Sequence, residues 1–363
     1  MHIDIAIIGG GIVGLQLARL IEKNFSNERF VIFEKNHFLG EESSSRNSGV
    51  LHAGLYYPTG SLKHKLCIQG LQEWPKIAQE LSIPINNCGK YLVATTQNEV
   101  DALIKLYNNA KGNGVKNLEW IDDPRDLSLP VNSIQKCFFS SSTSIIDQSK
   151  AISSLKNDLY KKNVMVSIHD KVQNITYKNK KFIIESDREK ITSNILVNSA
   201  GLGAIKLREQ LGLKNIELYP IKGNYLKYTK TYYNSHLIYP IPPAHAQGLG
   251  VHTSFDTEGN VKFGPNTEEI SEIDYNINKN LVENMWPSIN KVFKNVEKEF
   301  LQLDYCGIRS KIILNKKLYP DFLIESYESI PGYIEALGIE SPGFTASPAI
   351  AKTILKMVTK YLN

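Results

Sequence analysis

The sequence is poor in the residues that staple or anchor small or membrane-bound proteins. Cysteine occurs four times, at 67, 88, 137 and 306, with no CxxC pair. That scatter fits buried thiols in a reducing compartment better than a disulfide framework or a metal site. No apolar run approaches the ~18 residues of a membrane span. No segment repeats or is low in complexity, and neither sign of charge dominates: 42 Lys+Arg stand against 37 Asp+Glu, for a formal net charge of +5. The cluster Lys178, Lys180 and Lys181 reads as a solvated hairpin rather than an anion-binding patch, so nothing points to nucleic acid. An apolar strand opens at Ile3, leaving no room for a signal peptide, and the expectation is a cytoplasmic protein.

What is present is a 363-residue chain, 42% hydrophobic and 22% charged, long enough for about two domains by the ~150-residue prior. Its most informative stretch runs from Ile3 to Glu34. An apolar run, Ile3 to Ile8, precedes Gly9-Gly10-Gly11-Ile12-Val13-Gly14, then a helical pattern, then Phe30-Val31-Ile32-Phe33-Glu34. Gly9 permits a tight turn, Gly11 admits a pyrophosphate against the backbone, and Gly14 lets helix and strand pack closely. The helix N-terminus offers free N–H groups to phosphates. Glu34 is placed to accept hydrogen bonds from a ribose diol. Strand, turn, helix, second strand and acid in register give the motif the context that it requires.

Further elements follow from apolar spacing. Helices are expected over Leu62–Gln79, over Gln97–Lys111 and from an N-cap at Asp147 through Tyr160. Strands are expected at Gly89–Thr95, Val164–His169, Gln173–Tyr177, Phe182–Ser186, Ile195–Gly203, Tyr219–Tyr228, Ile238–Pro242 and Val261–Gly264. Asn278–Phe300 reads as largely helical with a break or kink at Pro287. A strand at Gly332–Leu337 leads into a second glycine-rich turn, Gly338-Ile339-Glu340-Ser341-Pro342-Gly343-Phe344-Thr345, and a final helix through Tyr361. Two such turns at opposite ends of the chain suit one extended cofactor, FAD, better than a nicotinamide dinucleotide, which one continuous domain usually holds. The C-terminal helix carries Ile350, Ile354, Leu355, Val358 and Tyr361 among lysines. It is expected to pack on the cofactor domain, with peripheral seating on an anionic bilayer as the alternative.

The string from Ser45-Arg46-Asn47-Ser48-Gly49-Val50-Leu51-His52 through Ala53-Gly54-Leu55-Tyr56-Tyr57 carries a family resemblance. It continues in Val197-Asn198-Ser199-Ala200-Gly201, Gly223-Asn224-Tyr225-Leu226, Tyr239-Pro240-Ile241-Pro242, Leu249-Gly250-Val251-His252-Thr253 and Gly307-Ile308-Arg309. The chain resembles FAD-dependent oxidoreductases of the D-amino-acid-oxidase type, most closely the L-2-hydroxyglutarate dehydrogenase/oxidase group.

That resemblance implies an α/β fold: a Rossmann-like FAD domain of the glutathione-reductase type, with an antiparallel-sheet substrate domain lying over the flavin. The FAD domain is expected from residues 1–81, 145–213 and 306–363, and the substrate domain from 82–144 and 214–305. By the same resemblance the cofactor site includes Gly9, Gly11, Ile12, Val13, Gly14, Glu34, Lys35, Ser44, Ser45, Arg46, Asn47, Ser48, His52, Ala53, Gly54, Val172, Ala200 and Gly201. It closes with Gly338, Glu340, Ser341, Pro342, Gly343, Phe344 and Thr345. His252, taken to end an apolar strand Leu249-Gly250-Val251, is the expected base, with His52 as its alternate. His52 is read in addition as a substrate contact or a flavin attachment point. Arg309 is expected to pair with a substrate carboxylate, and Tyr57, Lys222 and Tyr239 complete the expected substrate site. The family usually has arginine where this chain has Lys222, and a lysine lacks the planar fork that grips a carboxylate bidentately. The other histidines are read as solvated or structural, and the tyrosines at 219, 225, 228, 232 and 233 as sheet packing.

The implied activity is oxidation of an L-2-hydroxy acid, foremost L-2-hydroxyglutarate to 2-oxoglutarate, by hydride transfer from Cα to the flavin. The electron acceptor is left open among oxygen, a quinone and a carrier protein. Two other readings stand beside it: an amine oxidase or dehydrogenase acting on glycine, sarcosine or a D-amino acid, and a flavin-binding redox sensor or subunit without turnover.

Overall fold

The computed structural model describes residues 1–242 and 250–362. The expected histidine at 245 and the first residue of the 249–253 string lie outside them.

The first core is a parallel sheet. Strand His2–Ile8 pairs in parallel with Phe30–Glu34 on one side and Lys190–Asn198 on the other. Met165–Ile168 extends the sheet beyond Phe30–Glu34, and Ile330–Leu337 joins the far half of Lys190–Asn198, also in parallel. These strands read as continuous apolar runs because both faces are covered. Ile5 and Ile7 pack with helices Ile12–Asn24, Leu62–Leu81, Gln148–Lys161 and Gly343–Leu362. Their neighbours Ala6 and Ile8 point the opposite way, toward the antiparallel ribbon Val172–Lys178 and Lys181–Ser186. Asn179 and Lys180, both with positive φ, form that ribbon's tight turn, so the lysine cluster is a hairpin as expected.

The second region is built mainly from antiparallel ladders, with Leu237–Pro240 running parallel to Lys90–Ala94. Ile216–Tyr228 pairs with Leu301–Leu314 along most of its length and with Val261–Gly264, which pairs in turn with His252–Phe255. A four-stranded sheet of Leu237–Pro240, Lys90–Ala94, Lys136–Ser140 and Leu118–Ile121 packs beside it, with helices Gln97–Gly112 and Leu281–Val292 completing its core. The fold is thus the mixed α/β arrangement expected, with a parallel cofactor-type sheet and an antiparallel second region.

Three expectations need correction. The boundary placed at 306 falls inside the strand Leu301–Leu314, whose ladder runs on past Cys306 to pair Leu314 with Ile216. The helix expected over 278–300 spans only Leu281–Val292. Phe293 leaves it in extended backbone, is buried, and bridges to Val131, so core packing ends the helix that the apolar spacing would have prolonged. Pro287 sits inside the helix instead of breaking it; the carbonyl that it leaves free belongs to the exposed Glu283. Finally, His252 begins its strand rather than ending one.

The C-terminal helix buries Ile350, Ile354 and Val358 against the first and second helices, so its apolar stripe belongs to the core and not to a bilayer surface. Among the described residues no helix is long and apolar enough to cross a membrane.

Helices Leu62–Leu81 and Gly343–Leu362 meet at Gly70, where a Cβ would lie 2.1 Å from the Thr345 carbonyl oxygen. Gly70→Ala must therefore push the helices apart. We expect a loss of stability of about 1–3 kcal/mol, read as a lower urea midpoint at unchanged m-value; an unchanged midpoint would contradict the packing described.

Candidate active site

Because parallel strands all leave the sheet at one edge, four turns gather at a single crevice. They follow Ile8, Glu34, Asn198 and Leu337. A cavity of about 500 Å³ begins there and runs between the parallel sheet and the antiparallel region.

One end is polar and made of backbone. Gly9 has φ 105°, and a Cβ on Gly14 would lie 2.1 Å from the Gly9 carbonyl oxygen, so helix Ile12–Asn24 starts hard against the strand. The Ile12 N–H donates to Ser44 Oγ (2.9 Å). Glu34 is 7% exposed and accepts from the peptides of Gly10 (2.9 Å) and Asn36 (2.8 Å). Burial pushes its pKa up, while those two peptides and Lys35 work against that rise. A carboxylate has about four acceptor sites, so two peptide bonds leave it free to take a diol. Lys35, Val172, Ala200 and Gly201 line this end, as expected. Gln173, Lys206 and Gln210 line it too; nothing in their local sequence marks them.

Midway, Ser44, Arg46, Asn47 and Ser48 face the cavity. The carbonyl of Arg46 approaches Gly307 so closely that a Cβ there would stand 2.0 Å from it, which fixes this loop against the strand carrying Arg309.

The far end carries the side chains with chemistry. His52, Tyr239, His252, Arg309, Glu340 and the segment Ser341–Thr345 line it. His252 is 3% exposed, and its ring stacks on that of Tyr239 at 3.7 Å. Its Nδ1 lies 2.8 Å from the Gly250 carbonyl, which can only accept, so Nδ1 carries the hydrogen and Nε2 keeps its lone pair. Burial drives the His252 pKa down to about 3; the Gly250 bond opposes this, and Lys90 and Arg309 add to it. His52 is pushed well below its ordinary value, by burial first and then by Lys90, His252 and Arg309. Both imidazoles are neutral at physiological pH. The His52 peptide N–H donates to Thr345 Oγ1 (3.0 Å), and its Nε2 lies 3.3 Å from Ser341 Oγ.

Arg309 is 26% exposed, with Nη1 3.6 Å from Glu340 Oε2. Glu340 is shared by Lys63 and Lys311, each at 2.8 Å. Burial would raise its pKa, but Lys63, Arg309 and Lys311 together hold it down at about 2. Three cations around one carboxylate leave this wall net positive. Lys63 is itself placed by Asp321, which accepts from the peptides of Leu62 and Lys63 at the start of their helix.

Several expected residues lie elsewhere. Lys222 does not line the cavity: residues alternate between the faces of a strand, and Gly223 and Tyr225 take the cavity face. Its Nζ donates to the Asn276 carbonyl and pairs with Asp274 at 3.7 Å. Tyr57 also stands outside the lining, its hydroxyl bonded to Ser341. Ser45 Oγ donates to the Gly40 carbonyl, and Ala53 packs in the second core. Gly14, Gly54 and Gly338 shape the backbone behind the wall without lining it. Conversely Tyr225, grouped with the packing tyrosines, lines the cavity and stacks on Tyr305 at 4.6 Å.

The family profile for FAD dependent oxidoreductases matches residues 4–357. This chain belongs to that family, and FAD is its cofactor. The mitochondrial L-2-hydroxyglutarate dehydrogenase of Arabidopsis thaliana is 31% identical over 97% of this chain and 83% of its own length. The glycerol 3-phosphate dehydrogenase of Caloramator mitchellensis is 26% identical over 99% and 75%. Among solved structures, an FAD-bound L-α-glycerophosphate oxidase from Mycoplasma pneumoniae superposes with a TM-score of 0.89 at 21% identity, covering 99% of this chain and 95% of the other. Glycine oxidase from Geobacillus kaustophilus gives 0.85 at 19%, covering 99% and 95%.

The residues present fit that cofactor. Around Gly11 the nearest atom a Cβ would meet is Ser44 Oγ, at 3.1 Å, so the backbone there is open to the cavity. We expect Gly11→Val to fold, since a hydroxyl can rotate aside, yet to lose FAD because the new side chain occupies the pyrophosphate's place. The measurement is flavin absorbance per chain together with circular dichroism; a folded variant with full flavin would refute the placement.

Proposed function

We propose that this chain oxidises an L-2-hydroxy acid, with L-2-hydroxyglutarate as substrate and 2-oxoglutarate as product. The observation that carries the reading is the lining of one cavity end by a guanidinium, Arg309, and an imidazole, His252, whose Nδ1 is held by the Gly250 carbonyl so that Nε2 keeps its lone pair. Oxidation of a hydroxyl needs a group to take its proton and another to hold the neighbouring carboxylate. Bound FAD supplies the two-electron acceptor.

Arg309 binds the carboxylate and orients the carbon beside it, while Glu340 keeps the guanidinium in place without neutralising that wall. His252 takes the hydroxyl proton at Nε2, its ring held by the Gly250 bond and the face of Tyr239. An anionic substrate beside the imidazole raises its proton affinity from the low value of the empty site. His52 stands as the alternate acceptor. Tyr239, whose hydroxyl is buried and without a partner among the described residues, offers a neutral donor to the substrate.

The name of the Arabidopsis relative supports this substrate. The glycerol 3-phosphate relatives support a second reading, oxidation of a phosphorylated alcohol. Both substrates present a secondary hydroxyl and an anionic group. A small-molecule substrate and a separate redox acceptor are common to all these readings.

Anaerobic stopped-flow reduction with L-2-hydroxyglutarate, glycerol 3-phosphate and glycine separates them. We expect flavin reduction by the first alone. Arg309→Lys should lower kcat/KM by loss of the fork, and Arg309→Ala by roughly ten- to hundred-fold, mostly in KM. His252→Ala should slow the reduction step itself by about 10²–10⁴-fold with little change in KM. If His252→Ala and His52→Ala both reduce at the parent rate with the parent pH dependence, neither histidine takes the proton.

A further inference from the structure

The wall that carries Arg309 holds more positive charge than the proposed chemistry uses. Glu340, whose side chain is 5% exposed, takes three cations. Lys63 and Lys311 each stand 2.8 Å from its Oε1, and Arg309 Nη1 stands 3.6 Å from its Oε2. Of these residues Arg309 and Glu340 line the cavity, and the two lysines do not. Whatever the lysines do therefore reaches the cavity through the carboxylate that they share.

Separate parts of the fold deliver these groups. Lys63 is the second residue of helix Leu62–Leu81, whose start Asp321 fixes by accepting from the Leu62 and Lys63 peptides at 2.7 and 2.8 Å. Its Nζ passes 5.6 Å from the centre of the Phe322 ring and donates to Glu340. Arg309 and Lys311 sit two residues apart on strand Leu301–Leu314 and so share one face. Glu340 belongs to the turn after Ile330–Leu337. A buried carboxylate and guanidinium left to themselves close into a fork, with N–O distances of about 2.7–2.9 Å. Here they stand 3.6 Å apart, beyond hydrogen-bond reach, while both lysines hold the other carboxylate oxygen at full ion-pair distance.

We propose that Lys63 and Lys311 are positioning residues for substrate binding: by drawing the Glu340 carboxylate onto themselves they keep it from closing on Arg309, and so leave the guanidinium to the substrate's carboxylate. This rests on the reading that Arg309 holds that carboxylate. Removing either lysine leaves a buried negative charge that the remaining cations must meet. Arg309 is the one of them that faces the cavity, so its closure onto Glu340 is felt as weaker binding of an anion. Lys63 is the more buried lysine, with a side chain 9% exposed against 19% for Lys311, so its loss weighs more.

The test uses the FAD-loaded, oxidised protein titrated with glutarate, a non-reducing dicarboxylate, and read by the flavin difference spectrum. Lys63→Met should weaken glutarate binding by roughly ten-fold or more, and Lys311→Met by roughly three- to ten-fold. A Glu340→Gln background has no carboxylate to compete for Arg309. There Lys63→Met should change glutarate affinity by less than about three-fold, whereas a structural defect or a long-range charge effect would persist at full size. Parent affinity in Lys63→Met, or an equal loss in both backgrounds, overturns the proposal. If Lys63→Met does not retain flavin, Lys311→Met decides by the same comparison, with parent affinity or an equal loss in both backgrounds again overturning it. Arg309→Ala separates this inference from the reading beneath it. If Arg309→Ala binds glutarate as the parent does, the assignment of Arg309 to the carboxylate fails. Weakened binding in Arg309→Ala beside unchanged binding in both lysine variants overturns the positioning role alone.

Discussion

The site depends on the parallel sense of the strands in the first sheet. Parallel strands end at one edge, so the turns after Ile8, Glu34, Asn198 and Leu337 open on the same crevice although Ile8 and Leu337 lie near opposite ends of the chain. An antiparallel arrangement would send half of those turns to the far edge. The N-terminal ends of Ile12–Asn24 and Gly343–Leu362 then open on one space. The antiparallel region closes that space from the other side, and the close approach of the Arg46 carbonyl to Gly307 holds the two together.

The electrostatics of the closed end follow from that burial. Glu340 stays ionised because Lys63, Arg309 and Lys311 surround it, and together they leave excess positive charge beside the cavity. Burial, with Lys90 and Arg309 adding to it, lowers the proton affinity of His52 and His252. An anion bound beside these imidazoles would raise their proton affinity.

The local elements of this protein were legible in the chain because they rest on short-range patterns. Strand, glycine turn, helix and acid from Ile3 to Glu34 lie where their spacing indicates, and the Asp147 side chain accepts from Lys150 N–H as an N-cap should. The Leu301–Leu314 strand was not legible, since its stabilising partner, Ile216–Tyr228, lies some eighty residues away and its polar positions mask alternation. The helix expected to continue past Val292 stops because Phe293 is worth more in the core than in another turn of helix.

At the site the division is similar. Sequence alone determined the family, the cofactor and the two glycine turns, because backbone turns are written locally in glycine and its neighbours. It also singled out His52, His252 and Arg309, all of which line the cavity. Only the tertiary structure decided which side chains share a face: strand alternation turned Lys222 away to Asn276 and Asp274 and brought Tyr225 to the cavity. Lys90 could not be found in the sequence at all. A lysine at the start of an apolar strand reads as a solvated edge residue, and it becomes buried, with no hydrogen-bond partner for its amine among the described residues, because Tyr56 and Tyr239 arrive from elsewhere in the chain to enclose it.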